Sequence, residues 1–141
     1  MKKITIVSGY FNPIHLGHVR YIQDAKSRGD YLIVIVNNDK QQLLKKGKII
    51  MDENERLEIA KELRSADEAI LSMDEDPSVC RTLELIRERN PVDDLYFCNG
   101  GDRPDMDSIP ESKLNINLQF EFGVGGTDKI NSSSNINNLK D

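Results

Sequence analysis

The sequence predicts an α/β domain built on an open parallel sheet of about five strands, with helices on both faces. Three observations lead there. Lys3-Ile4-Thr5-Ile6-Val7 is a short β-branched run that passes through a Gly-containing turn into helical spacing from Val19 to Lys26. Tyr31-Leu32-Ile33-Val34-Ile35-Val36 is apolar almost without interruption, as expected of a strand buried on both faces. Apolar runs of strand length then keep alternating with helical stretches, the pattern that puts helices on both sides of parallel strands.

Taken in order, the first strand covers residues 3–8 and the first helix residues 16–28, ended near Gly29. The second strand is 31–36, stopping at Asn37-Asn38-Asp39. Residues 40–50 read as a basic, Gly-containing loop. Asp52, Glu53 and Glu55 put acids in the first turn of a helix that continues through Leu57, Ile59, Ala60 and Leu63, where they complement the macrodipole. Residues 66–71 make a short third strand. Ser78 caps a helix carrying Leu83, Leu85 and Ile86, and Asn90-Pro91 ends it. A fourth strand over 95–98 is followed by Asn99-Gly100-Gly101-Asp102-Arg103, a polar loop over 104–114 and an alternating fifth strand over 118–122. A turn-rich loop from Gly123 to Asn131 leads to a last short helix that begins at Ser132-Ser133-Ser134.

A chain of 141 residues is expected to form one domain with a proper core. Its net charge of −5 argues against nucleic-acid binding driven by bulk electrostatics. Cys80 and Cys98 lie far apart with no CxxC, and read as reduced thiols of a cytoplasmic protein. No apolar run approaches the length of a membrane span, and the extended apolar stretch of a signal peptide is missing.

The unusual residues follow predicted strands, and in an open parallel sheet those ends share one edge, where ligands bind. The two histidines of the chain, His15 and His18, both fall at the start of the first helix. Unpaired N–H groups at a helix start attract phosphate, and imidazoles add donors to charge building on phosphate oxygens. The alternatives are two structural histidines or a metal site, but zinc needs further ligands and none is adjacent. Neither GxGxxG nor GxxxxGK[ST] is present.

His15-Leu16-Gly17-His18 resembles the HxGH motif of the cytidylyltransferase-like nucleotidylyltransferases. That resemblance, running over roughly residues 3–136, implies a Rossmann-like sheet. It also implies transfer of a nucleoside monophosphate from CTP or ATP to a small phosphorylated acceptor, a sugar phosphate or a polyol or alcohol phosphate, with release of pyrophosphate. Gly9, Tyr10, Phe11 and Asn12 occupy the positions where the family commonly has Gly-x-Phe-Asp, so a neutral amide replaces the acid. With Gly17 and the histidines they are expected to line the nucleotide. Lys46-Gly47, with Met51 and Glu55-Arg56 after it, is similar to the active-site lysine region of choline-phosphate-type cytidylyltransferases. The match makes Lys46 catalytic and gives Arg56 either a phosphate or a geometry-holding role. Lys45 could fill the lysine role instead, and a solvated basic loop is the plain alternative.

Asn38, Asp39 and Gly100-Gly101-Asp102 look like the corresponding stretches of heptose-phosphate adenylyltransferases, which implies acceptor contacts from Asn38 and Asp39 and nucleotide contacts from Gly100 and Asp102. Arg103 joins them on position alone. Ser132 and Ser133 resemble the family's hydroxyl block for the leaving pyrophosphate, and Lys129 stands where an arginine commonly precedes it. Magnesium accompanying the triphosphate and a homodimer are further expectations from the family. A second reading, from a different class, is a nucleotide-binding sensor on the same fold that has lost turnover.

Overall fold

A computed structural model describes residues 1–100 and 109–125, together with the backbone but not the side chain of Lys46. Five strands, β1 (Lys3–Gly9), β2 (Tyr31–Val36), β3 (Glu68–Leu71), β4 (Asp94–Cys98) and β5 (Leu118–Glu121), form one sheet in the order β3-β2-β1-β4-β5. All four neighbouring pairs are parallel, with Ile6 opposite Ile33 on one side and Phe97 on the other. The helices are α1 (Leu16–Ser27), α2 (Asp39–Lys46), α3 (Glu53–Glu62) and α4 (Cys80–Arg89). This is the Rossmann-like sheet that the sequence predicts.

Alternation along the strands sorts the core into two layers. Val7, Leu32, Val34 and Val36 meet Ile22 and Ala25 of α1 and Ala60 of α3. Ile4, Ile6, Ile33, Ile35, Leu95 and Phe97 meet Leu83 and Ile86 of α4. Thr5 is fully buried in β1 and donates its hydroxyl to the Ala25 carbonyl of α1 at 2.9 Å, which satisfies the polar group that the run of β-branched residues carries inside.

Strand order runs one way from β1 to β3 and the other way from β4 to β5. The order of strand addition therefore reverses between β1 and β4, which stay parallel, and the crevice outside their carboxyl ends is where an open α/β sheet binds its ligand. The loop after β1 opens onto it.

Three local expectations need correction. Residues 39–46 are a helix rather than loop: Asn38 accepts from Gln41 N–H, Gln41 reaches back to Asn38 N–H, and Gly47 ends α2 in the left-handed region at φ 68°. Ser78 is not the N-cap of α4, which is Val79 with no side-chain bond; the Ser78 hydroxyl accepts only a long bond from Cys80 N–H at 3.4 Å. Asp74 accepts from Arg81 N–H at 2.8 Å and Thr82 N–H at 3.0 Å instead, and Glu111 accepts from Val79 N–H at 2.9 Å. The polar loop after β4 contains a short 3-10 turn over Pro110–Lys113. The expected last helix lies outside the described residues.

Candidate active site

The site begins with a packing constraint. The Phe11 ring is buried over Gly9, so closely that a Cβ on Gly9 would lie 2.7 Å from it. Phe11 itself sits in the left-handed region at φ 53°, an uncommon conformation for an aromatic residue. These two residues turn the chain sharply out of β1 and deliver it to the start of α1.

At that start the two histidines replace the usual capping side chains. His15 is the extended N-cap and its Nδ1 accepts from Gly17 N–H at 3.0 Å. His18 Nδ1 accepts from His15 N–H at 3.2 Å. The rings stack with centroids 3.9 Å apart, and Phe11 meets His18 edge-on at 5.0 Å. Both Nδ1 atoms act as acceptors, so the proton of each neutral ring sits on Nε2. Burial lowers the pKa of His15, and that of His18 falls to about 3 through burial first and the neighbouring His15 charge second. At neutral pH the pair is uncharged, with each ring proton on Nε2. The buried His15 Nε2 has no partner among the described residues, the state of a donor that waits for an anion at a helix N-terminus.

The remaining predicted residues divide. Asn12 is buried and turned toward residues 48–51, donating to Lys48 O at 3.2 Å and accepting from Ile50 and Met51 N–H at 2.9 and 2.8 Å. Arg56 is 1% exposed. Its guanidinium donates to Met51 O, Tyr10 O, Asn37 O and Asp39 Oδ1. These four bonds are of the kind the geometry-holding alternative describes. Asn38 and Asp39 are likewise engaged internally, Asn38 with Gln41, Ser72 O and Asp74 O, and Asp39 with Arg56. These bonds fix where the two residues stand at the start of α2.

Gly17 lies in the first turn of α1, and Gly100 is half-buried just beyond β4. Lys45, the alternative to Lys46, sets its ammonium 5.2 Å from the centre of the Tyr10 ring. Asp102, Arg103, Lys129, Ser132 and Ser133 lie outside the described residues, as does the Lys46 side chain.

Gln42 escaped the sequence reading. It is buried within a basic segment and donates to Lys48 O at 3.0 Å. Tyr21 also escaped it, and ties α1 to the Cys98 carbonyl at the end of β4. Both cysteines are free thiols, and burial pushes Cys98 up to about 12, which removes it as a nucleophile.

A sheet with its turning point at β1 and β4, and an uncharged histidine pair capping the helix that begins there, defines a nucleotide-binding α/β protein built to hold phosphate. Residues 6–120 match the family model described as cytidylyltransferase-like, and the chain belongs to that family. It is a nucleotidylyltransferase. It is 42% identical over 132 residues to an FAD synthase of Thermoplasma volcanium, covering 93% of this chain and 89% of that one. The bifunctional protein HldE of Geobacter metallireducens is 35% identical over 103 residues, which are 72% of this chain but 19% of HldE. Matches to several further FAD synthases span about half of those proteins' length. Among solved structures, a lipopolysaccharide core biosynthesis protein from Thermoplasma volcanium superposes with a TM-score of 0.67 at 29% identity, covering 86% of this chain and 96% of that one. No helix among the described residues is long and apolar enough to cross a membrane.

Proposed function

We propose that the protein transfers AMP from ATP to the phosphate of FMN, forming FAD and pyrophosphate. The near full-length alignment with an FAD synthase carries this reading. FAD is FMN with an adenylyl group on its phosphate, so making it by nucleotidyl transfer requires these two substrates. The acceptor phosphate oxygen attacks the α-phosphorus in line and pyrophosphate leaves, with no protein nucleophile. His15 and His18 donate Nε2–H to oxygens on which charge accumulates, already oriented by their Nδ1 bonds. Lys46 supplies a mobile positive charge between the two phosphates, and Lys129, Ser132 and Ser133 hold the leaving group.

Magnesium enters with the triphosphate, whose charge it would neutralise. Ile49 and Ile50 are exposed aliphatics in the segment that Asn12 bonds to the histidine loop. Such a rim suits a planar apolar ring better than a sugar, which favours a flavin over the heptose phosphate that the HldE match would suggest. The chain works as a homodimer in this reading.

The test is pyrophosphate release with ATP and with CTP, each against FMN, a sugar 1-phosphate, glycerol 3-phosphate and choline phosphate. Release with ATP and FMN alone, with FAD recovered by chromatography, is the expected result. Release with a sugar phosphate instead replaces the acceptor, and release with CTP replaces the nucleotide. Nucleotide binding with no turnover on any acceptor makes the protein a sensor. Within the same assay, Ile50→Gln should raise the KM for FMN several-fold and leave that for ATP unchanged.

A further inference from the structure

We propose that Asn12 is a positioning residue, whose carboxamide clamps the backbone of residues 48–51 against the histidine loop and so sets the lysine-bearing segment in one register over His15 and His18. The effect on transfer rate rests on the nucleotidyl-transfer reading; the clamp itself does not.

The segment has no regular structure to hold it. α2 ends at Lys46, α3 begins at Glu53, and residues 47–50 are all exposed. Its backbone is instead bonded by side chains from three other elements. Asn12, 4% exposed in the loop after β1, donates Nδ2 to Lys48 O and accepts from both Ile50 and Met51 N–H on Oδ1. Gln42 of α2 donates to the same Lys48 carbonyl at 3.0 Å. Arg56 of α3 donates to Met51 O and Tyr10 O, closing the connection back to the residue two before Asn12.

The chemistry of this clamp selects the amide. One side chain must present a donor to a carbonyl and an acceptor to two successive N–H groups, and a primary amide does both at once. A carboxylate keeps the acceptors, loses the donor and sets negative charge against Lys48 O. A hydroxyl is too short to span three backbone groups. That requirement explains the neutral residue at a position where the family commonly carries an acid. It also moves Asn12 from the expected nucleotide contact to a role between two loops: three residues before His15, it holds the chain two residues after Lys46.

The experiment uses the full chain with Asn12→Ala and the isosteric Asn12→Asp. Amide hydrogen exchange across residues 48–51 reads the clamp with no acceptor present. Kinetics with whichever acceptor the native protein turns over read its consequence, and calorimetry reads ATP affinity. In Asn12→Ala, exchange at Ile50 and Met51 should accelerate by about tenfold, as for loss of hydrogen bonds of ordinary net worth. In Asn12→Asp the two N–H acceptors survive and exchange should change less. In both variants kcat should fall about tenfold or more while ATP affinity stays within twofold, because the histidines and the start of α1 are untouched. Native exchange rates in Asn12→Ala, or native kcat in both variants, overturn the proposal. ATP affinity falling in step with kcat overturns it too, since Asn12 would then be a nucleotide contact. Should Asn12→Ala fail to fold, Asn12→Asp carries the kinetic comparison. A native protein inactive toward FMN but active on another acceptor refutes the flavin reading and leaves the clamp to be judged by exchange and kcat on that acceptor.

Discussion

An imidazole that accepts a backbone N–H on one nitrogen and is shielded from water pays twice to become charged: it loses the bond and it loses hydration. His18 is in that position, with its pKa held at about 3. The unfolded chain takes up a proton at this residue below its ordinary value near 6.5, and the folded chain does so only near 3. More protons are then bound unfolded than folded, so the stability from neutral His18 is complete above about pH 6.5 and declines as pH falls toward 3. Asp24, lowered chiefly by its hydrogen bond from Arg28, and Asp67, where burial pulls upward but the bonds from Lys26 and Leu32 N–H outweigh it, contribute a slope of the same sign at lower pH, so a variant comparison is required. The free energy of unfolding in denaturant at pH 7 and pH 4.5 should differ more for the native protein than for His18→Asn. Equal differences would mean His18 is protonated in the folded state. Removal of either ring in His15→Ala or His18→Ala should also cost roughly two to three orders of magnitude in kcat, the scale for one preorganised donor. Native turnover in His18→Ala would remove it from the chemistry. The pair itself was legible because both histidines of the chain stand in one four-residue motif; their tautomers and low basicity were not, because they depend on which backbone N–H each ring meets.

Helices α2 and α4 show where the pattern of residues along the chain misleads. α2 lacks an apolar stripe because its buried face carries Gln41 and Gln42, and two amides amid lysines look like surface loop. The signal that identifies it is the pair Asn38 and Gln41 at capping-box spacing with Gly47 after the last turn. At α4 the reading chose the nearest hydroxyl, Ser78, as cap. The structure uses Asp74, which is 1% exposed and also accepts from the Thr82 hydroxyl at 2.6 Å. A carboxylate four or more residues upstream can cap a helix only if the chain loops back, which no local rule reveals. Asp74→Ala should therefore destabilise the fold by about 1–3 kcal/mol, since it strands two buried N–H donors. Ser78→Ala should cost about 0.5 kcal/mol or less, as for a surface substitution. Thermal unfolding of both variants checks the assignment, and a larger loss from Ser78→Ala would restore it as the cap.

At the scale of the molecule, every strand was legible because a parallel sheet covered on both faces demands strand-length apolar runs, and β1, β2 and β4 supply them. The strand order was not, yet the order β3-β2-β1-β4-β5 is what brings the histidine loop to the turning point of the sheet. Arg56 was legible as a residue of note with a phosphate role and a geometry-holding role both open, because burial and partners are set by the fold and not by the motif. Its side chain is fully buried and holds together the ends of separate elements. Tyr10 O follows β1, Asn37 O follows β2, Met51 O precedes α3, and Asp39 opens α2. Four donors of a planar fork meet four acceptors, an arrangement that a single ammonium cannot reproduce. Arg56→Met should cost about 3–5 kcal/mol, because three carbonyls and a carboxylate lose their partner at once. Arg56→Lys should recover only part of that. Since the loops after β1 and β2 lose their common anchor, ATP affinity should fall along with stability in both variants, and Asp39→Asn, which keeps an acceptor oxygen but removes the charge from the pair, should lose about 1 kcal/mol. Chemical denaturation with calorimetric ATP binding on the three variants decides the matter. An Arg56→Lys protein of native stability that has lost only acceptor binding would return Arg56 to the substrate.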